Sequence, residues 1–109
     1  MEISSADQGG VTVVTVKGRI DSSNSQEFDT PLSNLVKQGK TKIVLDMGGV
    51  DYMSSVGMRT IVSVMKSLKE TGGMLKLANL TNNVRGTLLL VGTALFDIHD
   101  SVDQAVSSF

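Results

Sequence analysis

A chain of 109 residues, 40% apolar and 19% charged, is long enough to bury one core and reads as a single domain, 1–109, of ordinary globular composition. Its formal net charge of −1 argues against nucleic-acid and acidic-membrane partners, which need a clustered basic surface. The absence of cysteine excludes a disulfide framework, residues 1–5 lack a signal-peptide pattern, and the longest apolar run, 88–91, is far short of the roughly 20 residues of a membrane span. These features point to a cytoplasmic protein.

In chain order, residues 2–7 are a weak strand candidate, and Gln8-Gly9-Gly10 is a turn. Val11 to Val16 is β-branched throughout and is the clearest strand, predicted to pair with 2–7 as a hairpin. Apolar residues on both of its faces predict cover on both sides. Gly18-Arg19-Ile20-Asp21 is read as the loop that ends it. Ser22, Ser23 and Ser25 offer N-caps for a helix through about residue 38, with Phe28, Leu32, Leu35 and Val36 inward. Pro31 removes the bond to the Glu27 carbonyl, which predicts a kink or a helix regular only from Thr30. Gly39 is the expected stop.

Lys42 to Met47 reads as a short buried strand, and Gly48-Gly49 with Asp51 as the loop after it. The next helix is expected from about Val56 to Thr71, its apolar stripe formed by Met58, Ile61, Val62, Met65 and Leu68. Gly72-Gly73 ends it and Leu75 to Ala78 is a strand, giving a βαβ crossover. Thr81 can cap a further helix with Val84, Leu88 and Val91 inward, Leu90 exposed and Gly92 as stop. Phe96 to Ile98 is a short strand. Ser101 and Gln104 match a capping box for a C-terminal helix.

Ser54 and Ser55 stand where the loop becomes the central helix. One hydroxyl suffices to cap it; the other is displayed at the positive end of the helix dipole, a good position for a phosphate. A cap alone also accounts for the pair. Asp46 and Asp51 fit turn and loop roles better than a catalytic carboxylate pair. His99 has no cysteine or second histidine beside it, so no metal is expected. The glycine pairs lack the Gly-x-x-x-x-Gly-Lys pattern of a phosphate loop, so no nucleotide cofactor is expected.

Taken together, Gly18-Arg19-Ile20-Asp21, Ile43-Val44-Leu45-Asp46, Tyr52-Met53-Ser54-Ser55-Val56-Gly57-Met58-Arg59, Gly72-Gly73, 84–92, Phe96-Asp97-Ile98 and 100–105 resemble the markers of STAS domains, the anti-sigma factor antagonists. The resemblance covers nearly the whole chain. It implies an α/β fold: a mixed sheet of four to five strands with four to five helices packed against it. It also implies a partner switch rather than an enzyme, acting as a monomer or weak homodimer. In such a switch an ATP-dependent anti-sigma serine kinase is captured by the unphosphorylated antagonist and phosphorylates it, and a PP2C-type phosphatase reverses the step. The family motif Asp-Ser-x-Gly-Leu assigns the acceptor to Ser55, with Ser54 second because it replaces the aspartate. The implied partner surface comprises Asp21, Ser54, Ser55, Gly57, Met58 and Arg59. Beside the functional readings, Asp21 also fits a loop brace and Arg59 a solvated helix face. The alternatives are a STAS scaffold or ligand-sensing subunit that never cycles through phosphate, and, from another class, a small nucleotide hydrolase.

Overall fold

The computed structural model describes residues 1–90 and 95–109. Two of the expectations above, Val91 facing inward and Gly92 as a helix stop, lie outside the described residues. Among those described, five strands and four helices follow in order: β1 (Glu2–Gln8), β2 (Val11–Ile20), α1 (Ser25–Lys37), β3 (Lys42–Met53), α2 (Ser55–Glu70), β4 (Met74–Ala78), α3 (Asn82–Leu89), β5 (Asp97–His99) and α4 (Val102–Ser107). The strands form one sheet in the order β1-β2-β3-β4-β5, with β1 antiparallel to β2 and every other pair parallel. The sheet is therefore mixed, as expected.

Strand alternation divides the apolar residues between the two faces. Val14 and Val16 of β2, Ile43, Leu45 and Met47 of β3, and Leu75 and Leu77 of β4 share the main core with α1, α2 and α3. The opposite face carries a smaller cluster, Val11, Val44 and Ala78, on which Ala105 seats α4. Thus β2 contributes to both faces, Val14 and Val16 to one and Val11 to the other.

None of the three serines is the N-cap of α1, which begins at Ser25. Asn24 is the N-cap residue, and its side chain is spent on the preceding loop rather than on the helix. The helix is continuous from Ser25 through Pro31, so of the two expectations, a kink or a helix regular only from Thr30, the second is corrected. Phe28 and Leu32 are fully buried, and their burial, about 1.5–3 kcal/mol each, offsets the roughly 3 kcal/mol that an interior proline costs.

The larger correction concerns β3. Gly48, Gly49 and Asp51 are strand residues rather than a loop, and β2 likewise continues through Gly18 and Arg19 to Ile20. The pairing shifts twice, between Thr15 and Lys17 and between Gly18 and Arg19, so β3 bulges but keeps its partner. A Cβ at Gly49 would lie 2.7 Å from Lys17 Cγ. Glycine is there because the Lys17 stem crosses it, and a local reading mistakes that close approach for a turn.

Helix α2 begins at Ser55, and its buried positions are Gly57, Met58, Ile61, Val64 and Leu68. Val62 and Met65, expected in the stripe, are half-buried at its rim; Val64 takes the inward position instead. Thr81 caps α3, accepting from the Val84 N–H, with Val84 and Leu88 buried. The capping box of α4 forms with one variation: Ser101 accepts from the Gln104 N–H, while Gln104 reaches back to the Asp100 N–H.

Candidate functional site

Because β3 extends to Met53, Ser54 is the sole residue between strand and helix. Its N–H donates to the Ile20 carbonyl at 2.9 Å, which ties the start of α2 to the end of β2. Gly57 lets the helix settle there. A Cβ at this position would come within 2.7 Å of Ile20 Cγ2 and 2.8 Å of Met53 Cγ. Met58 is buried beside them at 2% exposure. Gly57 therefore seats the helix rather than facing outward, while Met58, nearly buried, reaches the surface only at the side of α2.

The two serines differ in kind. Ser54 occupies the N-cap position in extended conformation, yet its side chain makes no capping bond. Its Oγ is shielded from solvent and has no hydrogen-bond partner among the described residues. Ser55 is exposed. The N–H groups of a first helical turn have no intrahelical acceptor, and here the cap side chain supplies none. No acidic residue stands in that turn either, so the positive end of the α2 dipole is uncompensated.

Asp21 directly follows Ile20, which brings its loop beside Ser54. Its carboxylate accepts from the N–H and hydroxyl of Ser23 and from Arg19 Nε at 3.1 Å. The Ser23 bonds, and then the Arg19 charge, hold its pKa below the ordinary carboxylate value. The Asp21 N–H donates to Asn24 Oδ1, and Asn24 Nδ2 donates to the Arg19 carbonyl. These bonds brace the loop. Arg19 itself lies over the Tyr52 ring, 5.0 Å from its centroid, across the β2–β3 pairing. Its position was legible in principle, since residues 19 and 21 share a side where the strand ends.

Arg59 is exposed and lies one turn beyond Ser55. Among the described residues it has no ion-pair partner. A groove of about 600 Å³ runs along this side of α2, lined by Ser55, Met58, Arg59, Val62, Lys66 and, from the segment before β5, Leu95. Sequence reading missed Val62, Lys66 and Leu95 as surface residues of the site. The repeat Ser55, Arg59, Val62, Lys66 at helical spacing carried the signal. Leu90 is 87% exposed, as expected, and Leu89 and Leu95 are also exposed, at 68% and 57%.

The remaining candidates fall elsewhere. The Asp46 carboxylate accepts from the Gly48 N–H and from Asn79 Nδ2, a bracing role, and the Asp51 main-chain carbonyl accepts from Asn83 Nδ2. His99 Nε2 meets Asp97 Oδ1 at 3.0 Å and Ser108 Oγ at 3.4 Å. Both contacts use one ring nitrogen, so the group lacks the relay geometry of a nucleophilic triad, which needs both nitrogens. No group of three His, Cys, Asp or Glu side chains stands together among the described residues, and no helix there is long and apolar enough to cross a membrane. Lys76, missed in the sequence, is buried in β4; its Nζ is 2.7 Å from Asp97 Oδ2 and 4.7 Å from the Phe109 ring centroid.

Known proteins resemble this chain in sequence and fold. BtrV of Bordetella bronchiseptica, a candidate anti-sigma factor antagonist, is 31% identical over 101 residues, 92% of this chain and 87% of its own length. Among solved structures, TM1081 of Thermotoga maritima, also a candidate anti-sigma factor antagonist, superimposes with a TM-score of 0.91 at 20% identity, over 97% of this chain and 92% of that one. The phosphorylated form of SpoIIAA, a Bacillus cell fate determinant, gives 0.77 at 17% identity over 98% of both chains. At these identities the structural likeness shows the fold. The STAS domain signature itself matches residues 2–105, and the chain belongs to the STAS domain family.

Proposed function

We propose that the chain is an anti-sigma factor antagonist that works as a phosphorylation-switched binding module rather than as an enzyme. Unphosphorylated, it holds an ATP-dependent anti-sigma serine kinase and so frees that kinase's other client. Phosphorylated on Ser55 it lets go, and a PP2C-type phosphatase restores it. The docking face is the junction of β2, β3 and α2, with Ser55 at its centre, Asp21 and Ser54 beside it, and Arg59 one turn along.

The observation that carries this reading is the difference between the two serines. A kinase needs a hydroxyl it can reach. Ser55 is exposed, whereas the Ser54 Oγ is enclosed. A phosphate on Ser55 brings about −1.5 to −2 charges to a helix end whose N–H groups and dipole favour an anion. The helix therefore tolerates the modification, and its effect falls on the partner. Burying an unpaired dianion at an interface costs several kcal/mol, and each ~1.4 kcal/mol is tenfold in affinity. The phosphorylated relative SpoIIAA supports the same reading.

The test is intact mass and peptide mapping after incubation with ATP and the anti-sigma kinases encoded in the same genome. One added phosphate on Ser55, lost in Ser55→Ala and kept in Ser54→Ala, is the expected result. Phosphate on Ser54 would reassign the acceptor. Tight kinase binding with no modification would favour a constitutive scaffold.

A further inference from the structure

We infer that the groove along α2 receives an acidic, amphipathic helical segment of the protein partner; this rests on the α2 junction being the docking face, and it specifies the chemistry of what docks. The floor is apolar, formed by Met58, Val62 and Leu95, and the rim carries Arg59 and Lys66. No carboxylate lines it among the described residues. Neither cation has an ion-pair or hydrogen-bond partner among the described residues. The chain as a whole carries a net charge of −1, so this positive strip is local and not a general property of the surface.

Geometry favours a helix as the occupant. Ser55, Arg59, Val62 and Lys66 fall on one stripe of α2, and at 1.5 Å per residue the stripe is about 16 Å long. An apolar floor between two separated cations matches a segment whose one face is apolar and whose flanks are carboxylates. The uncompensated positive end of the α2 dipole adds to the preference at the Ser55 end. A phosphate on Ser55, at i and i+4 with Arg59, takes up one of the two cations that such a segment needs.

The probe is a synthetic Leu/Glu amphipathic helical peptide of about four turns, with a Leu/Lys peptide of the same pattern as its opposite. Both are titrated into the isotopically labelled full chain and read by amide shifts. The Leu/Glu peptide is expected to move Met58, Val62, Lys66 and Leu95, to weaken with added salt, and to bind R59E/K66E at least about tenfold less tightly. Chain phosphorylated on Ser55 is expected to bind it more weakly than unmodified chain. Equal binding of the two peptides, or shifts confined to other surfaces, would overturn the assignment. So would binding to phosphatidylglycerol vesicles with none to the Leu/Glu peptide. Failure here is separable from failure of the switch: phosphate forming on Ser55 while the acidic peptide is ignored refutes the groove alone.

Discussion

Two regions of this molecule treat their polar groups in opposite ways. Around β5 and α4 the polar groups are paired: Lys76 with Asp97, Asp97 with His99, His99 with Ser108, and Arg85 with Asp100. At the start of α2 they are not. The cap side chain satisfies none of the first-turn donors, and the exposed Arg59 and Lys66 have no anion among the described residues. A buried group pays for missing partners at once, whereas an exposed one can wait for a ligand. The saturated region is therefore structural, and the unsaturated region is where an external molecule gains most.

That contrast breaks first, and hardest, at Asp97. Asp97→Ala strands the buried Lys76 ammonium, and with Asp97 partly exposed the expected loss is about 2–3 kcal/mol, read by urea denaturation. Adding Lys76→Met to that variant should recover most of the loss, because the cost lies in the orphaned charge. Next, Gly57→Ala forces a Cβ against Ile20 and Met53, and overpacking of this kind should cost about 1–3 kcal/mol in the same experiment.

A smaller effect sharpens the comparison more. An N-cap serine changed to alanine ordinarily loses about 1 kcal/mol. The Ser54 hydroxyl makes no capping bond, so Ser54→Ala should lie within about 0.5 kcal/mol of the parent or above it. Acid probes the Lys76–Asp97 pair as well. The hydrogen bond from Lys76 leads in lowering the pKa of Asp97. A carboxylate lowered in the folded state lends stability that is complete above its unfolded value, about 4, and is lost as pH falls through the lowered one. Stability should therefore fall as pH drops below about 4, and less steeply in the Lys76→Met, Asp97→Ala double variant. Least of all, Arg59→Ala and Lys66→Ala should move stability by no more than about 0.5 kcal/mol, since both side chains are exposed.

What the sequence disclosed follows the range of the forces involved. Caps and strand alternation are local, so Thr81, Ser101 and the Val11–Val16 strand were readable. The Ser54-Ser55 pair was readable as the start of a helix for the same reason. The unequal burial of its two hydroxyls was not, because Ile20 and Met53, which seat the helix, come from two different strands. Gly48-Gly49 misled because the cause of those glycines is the Lys17 stem and the Asn79 side chain, each about 30 residues away. Lys76 was the inverse case. A charge inside Leu75-Lys76-Leu77-Ala78 announces a buried partner, but nothing local names Asp97.

The single-residue junction between β3 and α2 has a consequence for how a signal is stored. Ser54 is pinned to Ile20 through its amide, and Gly57 leaves no room for the helix to slide. In the proposed switch a phosphate on Ser55 would therefore meet a backbone held at both positions, and the mark would be read as chemistry rather than as shape. Such a switch has no relaxation time of its own: its memory lasts as long as the ester bond, and erasing it is left to a second enzyme.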